Sequence, residues 1–228
     1  MFEDRRFFFL GADGAYYGCK KHGETFTVSA NYDRKREHLS LSLPGGVSVE
    51  GPADDLGEAV TVNIFGTDVT GRVLKDLRWE LALSQLFKQS VRLVRADDGF
   101  NAVDEVNSLS IISTASIEEL AKLGEKGGDA RRFRMFLEIG GCTFAHEEDE
   151  WAGRVVRVGD AEIRVAEAVP RCEATTRNPD SGVVDYNTLK AIASYRGKDE
   201  KGKIMMGMYG NVVKQGKIRV NDALVLLD

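Results

Sequence analysis

The chain has 228 residues, with 31 Lys and Arg against 36 Asp and Glu, a net charge of −5 and an isoelectric point near 5.4. That length suits one large or two small domains with a real hydrophobic core. The acidic balance argues against general nucleic-acid binding, which needs a basic footprint, and no stretch approaches the ~20 apolar residues of a membrane span.

Three cysteines, Cys19, Cys142 and Cys172, form an odd set without Cys-x-x-Cys spacing. This speaks against a disulfide framework or a zinc site and fits a reducing compartment. The opening Met1-Phe2-Glu3-Asp4-Arg5-Arg6 has no apolar signal core, because 7–10 is only a strand-length run. A soluble cytoplasmic protein without a membrane anchor is expected.

Twenty-four glycines and many short runs of Val, Ile, Thr and Phe predict a mainly β fold with a few peripheral helices. In the first half, strands are expected over 6–10, 25–31, 38–43, 60–64 and 69–72. Asp13-Gly14 between two aromatic runs signals a hairpin. Apolar residues at 77, 81, 83, 86 and 87 predict a helix over 77–88. Asp97-Asp98-Gly99 marks the boundary, giving a β domain over 1–98 and a second, β-barrel domain over 99–228.

In the second half, Ser116 is expected to cap a helix through Ile117, Leu120 and Leu123, with Glu119 in the capping-box position and Gly124 as its stop. Another helix is expected over 187–195, with Leu189, Ile192 and Ala193 inward and Gly197 beyond its end. Strands are expected over 134–139, 154–158, 162–168, 203–213, 217–220 and 224–226. The chain shows no internal repeat and no low-complexity tract.

Val169-Pro170-Arg171-Cys172-Glu173-Ala174-Thr175-Thr176 places a thiol beside a guanidinium and ahead of two hydroxyls. A positive neighbour favours the thiolate, the form that attacks electrophiles and binds soft metals. Pro170 should end the preceding strand, and Asn178-Pro179-Asp180-Ser181-Gly182 reads as a turn, so Cys172 belongs to a loop leaving a sheet. On local chemistry alone Cys172 reads as an inert core filler, the commoner fate of a free cysteine. His146-Glu147-Glu148-Asp149-Glu150 reads as a solvated acidic loop rather than a metal site, because consecutive carboxylates diverge and repel. Neither a dinucleotide loop nor a P-loop is present, so a reductase built on this chain would draw electrons from a separate protein.

The wider pattern changes the reading of Cys172. Arg131-Arg132-Phe133-Arg134, Phe144 to Trp151, Gly153-Arg154-Val155-Val156-Arg157-Val158-Gly159, Pro170-Arg171-Cys172 with Thr175-Thr176, Gly207-Met208-Tyr209 and Gly216 to Asp222 follow one another in order. In order and spacing they resemble the MOSC domain, named for the C-terminal part of molybdenum-cofactor sulfurases; Leu109 to Ser116 resembles its entrance. The first hundred residues resemble the β domain that precedes it in the amidoxime-reducing group, through Asp4-Arg5-Arg6-Phe7 and Asp13-Gly14. That group carries an earlier Pro-Val-Lys-Ser strand that helps hold its cofactor. This chain starts past that point, so part of the grip is expected to be missing or supplied elsewhere.

The resemblance implies a molybdenum cofactor (molybdopterin), with Cys172 as the catalytic residue and metal ligand. It implies reduction of N-hydroxylated or other N–O substrates, their oxygen leaving as water. Arg5 and Arg134 match the family arginines for the pterin phosphate, and Arg171 adds charge and a fixed backbone approach. Thr175, Thr176 and Tyr209 complete the implied cofactor set. Other readings stay open: ordinary surface charge for Arg5 and Arg134, the satisfaction of a turn for Thr175 and Thr176, a barrel aromatic for Tyr209. Two departures stand out. Met135-Phe136 replaces the family's usual Pro-Asn, and Cys19-Lys20-Lys21-His22 falls where the family carries Thr-Ala-Arg-Gln near the substrate mouth. The expected partners are a small N-hydroxylated substrate and an electron-donor protein. The alternative is a carrier that holds the cofactor, or a persulfide sulfur, on Cys172 and passes it on. The family also has a general association with pyridoxal phosphate binding and sulfur transfer.

Overall fold

The computed structural model describes residues 6–97 and 109–227, so Arg5 and the Asp98-Gly99 boundary fall outside the described residues. The chain divides into two compact units: Met1–Ala102 with Pro179–Val183, and Val103–Asn178 with Val184–Asp228. As expected, the architecture is mainly β.

The first unit opens with β1 (Phe7–Gly11), which turns at Asp13-Gly14, where Gly14 takes φ 74°. Strands β2 (Ser29–Asp33), β3 (His38–Ser42) and β4 (Ser48–Pro52) form a three-stranded sheet. Strand β2 starts four residues later than expected. Gly23–Thr27 instead winds into a 3₁₀ turn, in which the hydroxyls of Thr25 and Thr27 donate to the carbonyls of His22 and Glu24. Strand β4 escapes prediction because Gly51 and Pro52 break its pattern; its place is set by pairing with β3, Leu41 opposite Val49.

Strands β5 (Leu56–Ile64) and β6 (Thr67–Leu74), then helix α1 (Leu77–Phe87) and β7 (Val91–Ala96), complete this unit. The four-stranded sheet has the order β1-β7-β6-β5. Asp76 caps α1 by accepting the Arg78 amide at 3.0 Å. The helix buries Trp79, Leu83 and Phe87, one apolar residue every fourth position, while Leu77 and Leu81 face solvent at 68% and 69% exposure. Burying side chains of this size contributes roughly 1.5–3 kcal/mol each, enough to decide which stripe turns inward.

The second unit holds β8 (Leu109–Ser113), α2 (Thr114–Ala121), β9 (Leu137–Ile139), β10 (Val155–Val158), β11 (Ala161–Pro170), α3 (Thr188–Arg196), β12 (Met205–Lys214) and β13 (Leu224–Leu226). Its curled six-stranded sheet runs β13-β10-β11-β12-β8-β9, antiparallel except for the parallel β8–β9 pair. One core gathers Ile111, Trp151, Val156, Ile163, Val165 and Met208. Another, under the helices, gathers Ile112, Ile117, Leu120, Phe133, Ile192 and Met206.

Several local expectations are corrected here. Ser113, not Ser116, caps α2, accepting the Ser116 amide at 3.1 Å, and Glu119 pairs with Lys122 rather than closing a capping box. Strand β9 is shorter than 134–139 because Arg134 is left-handed, φ 51°, and ends the 3₁₀ turn Ala130–Phe133. Residues 217–220 form a loop in which the Asp222 carboxylate takes the Arg219 amide at 2.8 Å. Strand β11 runs on to Pro170, opposite Met205, through three register shifts in its pairing with β12. Proline fits there because the pairing is irregular between Ala168 and Pro170, and the Arg171 amide takes up the next bond, to the Ile204 carbonyl at 2.8 Å.

Candidate functional site

Pro170 ends β11 and hands the chain to Cys172, which precedes the 3₁₀ turn Glu173–Thr176. Its backbone is extended, φ −124° and ψ 176°, and the residue is exposed, whereas Cys19 and Cys142 are half-buried. The core-filler reading therefore fails for Cys172. It describes Cys142, which packs against the sheet core and whose thiol is pushed up by burial and by Glu147 and Glu148.

Arg171 is held by the neighbouring strand and turn. Its Nε donates to the Met206 carbonyl at 2.7 Å, Nη1 to the Phe133 carbonyl at 3.2 Å, and Nη2 to the Met206 carbonyl and to the thioether of Met135. Its Cζ lies 5.2 Å from the centre of the Phe133 ring. The residue keeps some solvent-accessible surface, but its guanidinium is enclosed, and burial pushes its pKa down to about 10. Among the described residues its hydrogen-bond acceptors are backbone carbonyls and a thioether, all of them uncharged.

Gly207 makes the arrangement possible. It takes φ 73°, and a Cβ there would stand 2.6 Å from Met135 Cε and 2.8 Å from the Ile111 carbonyl oxygen. Met135, one of the departures from the family pattern, is thus built into the support of Arg171. Tyr209, two residues on, is half-buried opposite Ser110. Arg134 is exposed beside Phe133, whose carbonyl Arg171 holds.

Thr175 and Thr176 are buried, and their hydroxyls donate inward: Thr175 Oγ1 to the Cys172 carbonyl at 2.9 Å, Thr176 Oγ1 to the Glu173 carbonyl at 2.6 Å. Both close the turn after Cys172 and keep only acceptor lone pairs for a ligand. The second unit therefore brings Cys172, Arg171, Thr175 and Thr176 together at one strand exit, with Arg134 next to Phe133 and Tyr209 further along the adjacent strand β12.

Two supports were invisible in the sequence. Arg132, 2% exposed, holds the carbonyls of Lys126 and Arg177 and pairs with Asp185 at 2.8 Å. Asn178 and Lys126 also reach Asp185, at 3.2 and 3.4 Å. Burial raises the Asp185 pKa, but these donors outweigh it and hold the carboxyl below its ordinary value. Nothing in Arg131-Arg132-Phe133-Arg134 says which arginine turns inward.

The second is the acidic segment, expected to be a solvated loop. Glu147–Trp151 is a 3₁₀ turn in which Glu148 is fully buried. Its carboxylate accepts the Ser113 amide at 3.1 Å and the hydroxyls of Ser113 and Ser116 at 2.6 and 2.7 Å. No cluster of His, Cys, Asp and Glu suited to a metal ion occurs among the described residues. A polar groove of about 350 Å³ belongs to the first unit, where Asn31, Asp33, Arg36, His38, Ser40 and Glu50 line it. Within it Arg36 pairs with Asp33, and His38 Nε2 lies 3.9 Å from the Glu50 carboxylate.

The sequence model of the MOSC domain matches residues 101–225. The chain belongs to the MOSC domain family. Across the wider chain, mitochondrial amidoxime reducing component 2 of Bos taurus is 28% identical over 245 residues, spanning 96% of this chain and 71% of its own. The Rattus norvegicus protein of the same name is 31% identical over 228 residues, 87% of this chain and 64% of its own. Mitochondrial amidoxime-reducing component 1 of Mus musculus is 29% identical, spanning 90% and 63%. The chain thus spans about two thirds of the length of these relatives. Within this MOSC chain, no described helix is long and apolar enough to cross a membrane.

Proposed function

We propose that this MOSC protein is a molybdenum-cofactor reductase of N-hydroxylated or other N–O compounds, with Cys172 as its metal ligand. The observation that carries the reading is an exposed thiol next in sequence to an enclosed guanidinium whose acceptors among the described residues are all neutral. A buried cation is stable when an anion compensates it, and an anionic pterin–metal group at Cys172 would do so. The donor set fits in kind as well, because a thiolate is a soft ligand suited to a metal with sulfur in its shell.

In this reading Cys172 binds the metal, and Arg171 holds the strand exit in place while biasing the site toward negative charge. Arg134 supplies paired N–H donors for a phosphate. Arg5 is carried over to the same task. Thr175 and Thr176 hold the turn and present lone pairs, and Tyr209 closes one side. When bound, the cofactor supplies two-electron oxygen-atom acceptance from an N–O bond. Electrons come from a separate donor protein. The relatives named mitochondrial amidoxime-reducing components support the substrate class, and free cysteines support a reducing compartment such as the cytoplasm.

The test is turnover of an aromatic amidoxime by cofactor-loaded protein with a chemical reductant. The amidine product is expected from the wild type and not from Cys172→Ser. Equal turnover in both overturns the assignment.

The exposure of Cys172 also favours a second reading, a carrier of the cofactor or of a sulfur atom. Intact-mass analysis showing one added sulfur on Cys172, without retained metal, would select it.

A further inference from the structure

Helix α3 begins at Thr188, which is fully buried at the helix's first position. A buried hydroxyl needs a partner, and Thr188 Oγ1 has one: it donates to the Thr175 carbonyl at 2.7 Å. Thr175 in turn donates its own hydroxyl to the Cys172 carbonyl at 2.9 Å and its amide to the same oxygen at 3.2 Å. Two hydroxyls in series thus tie the frame of α3 to the backbone of the thiol residue. An isolated 3₁₀ turn of four residues is marginal, because such runs are short and their hydrogen bonds poorly aligned. Its geometry has to come from outside.

The far end of α3 is fixed as well. Arg196 pairs with Asp149 at 2.6 Å, and Tyr195 meets His146 Nε2 at 3.1 Å with the two rings stacked. The helix is a strut, anchored in the acidic segment at one end and holding the Cys172 turn at the other.

From this we infer that Thr188 is the positioning residue of the site: its hydroxyl, acting through Thr175, sets the placement of Cys172. The inference rests on reading Cys172 as the ligand, but its test does not depend on metal. Thr188→Val keeps the shape and removes the donor, and Thr188→Ser restores the donor. Ile192→Val, buried in the same helix, supplies a comparable loss of stability without touching the turn.

Amide hydrogen exchange on metal-free protein is the first readout. In Thr188→Val the amides of Thr175 and Arg177 are expected to exchange about tenfold faster, while that of Ala191 inside α3 is unchanged. Thr188→Ser should restore wild-type exchange, and Ile192→Val should leave the turn protected. The second readout is bound molybdenum per folded chain, expected to fall about threefold or more in Thr188→Val and to recover in Thr188→Ser. Unchanged exchange at Thr175, or the same local loss in Ile192→Val, overturns the inference. If wild-type protein binds no molybdenum, the proposed function fails while the exchange result still decides the role of Thr188.

Discussion

Arg132 and Asp185 form an ion pair at 2.8 Å, with the arginine 2% exposed and the aspartate side chain 16% exposed. The same guanidinium holds the Arg177 carbonyl, so one buried cation closes the segment that follows Cys172 on both of its strands, where Arg177 pairs with Val184. Removing one partner of such a pair leaves an uncompensated buried charge, which costs about 3–5 kcal/mol. Asp185→Asn leaves Arg132, 2% exposed, without its counter-charge and is expected to lose about that much stability in chemical denaturation, and Arg132→Met less, because Lys126 and Asn178 still reach the part-exposed Asp185 carboxylate.

The pair also has a pH signature. The Asp185 carboxyl lies below its ordinary value when folded, so the unfolded chain binds its proton first as pH falls. Its stabilisation is full above about pH 3.9 and is lost as pH drops from there toward the folded value. Stability measured from neutral pH into acid should decline less steeply in this range in Asp185→Asn than in the wild type.

His146 acts higher on the scale. Burial lowers its pKa, assisted by Arg196, while Glu148, Asp149 and Glu119 pull the other way. The unfolded imidazole therefore takes a proton at about pH 6.5, before the folded one does, so stability falls as pH drops through 6.5 toward the folded value. His146 has φ 66°, a conformation that Asn tolerates. His146→Asn should remove this part of the slope, read by thermal melts between about pH 5 and 7.

Glu148 meets three donors from Ser113 and Ser116 at the start of α2. Hydrogen bonds to a charged group contribute about 1.5–3 kcal/mol each in net terms, and stranded donors add to the loss. Glu148→Ala should cost about 3 kcal/mol or more, and Glu148→Gln less, by urea denaturation.

Gly207 cannot accept a side chain without a shift of Met135 or of the Ile111 backbone, and its φ of 73° adds about 1–2 kcal/mol of strain for any other residue. Gly207→Ala is expected to lose more than that strain alone in denaturation. It should also move the Arg171 guanidinium, which stands 3.3 Å from the added carbon.

Features fixed by neighbouring residues were legible in the sequence. The Asp13-Gly14 turn forms, and α3 starts after Asn187, which accepts the Lys190 amide at 2.9 Å, and stops at Gly197. The exit of Cys172 from a strand into a loop also followed from Pro170 and the turn beyond it. What local pattern could not show depends on partners far along the chain. Strand β4 exists because β3 pairs with it, and Glu148 is buried because Ser113, 35 positions earlier, receives it. The inward arginine and the Thr188 tie are of the same kind, each decided by a carbonyl or carboxylate brought in by the fold.

The most direct measurement is metal and pterin analysis of protein purified from a host that makes the molybdenum cofactor. About one molybdenum and one pterin per chain are predicted for the wild type, with the metal lost in Cys172→Ser. Wild-type protein that emerges folded and free of molybdenum from such a host would contradict the account.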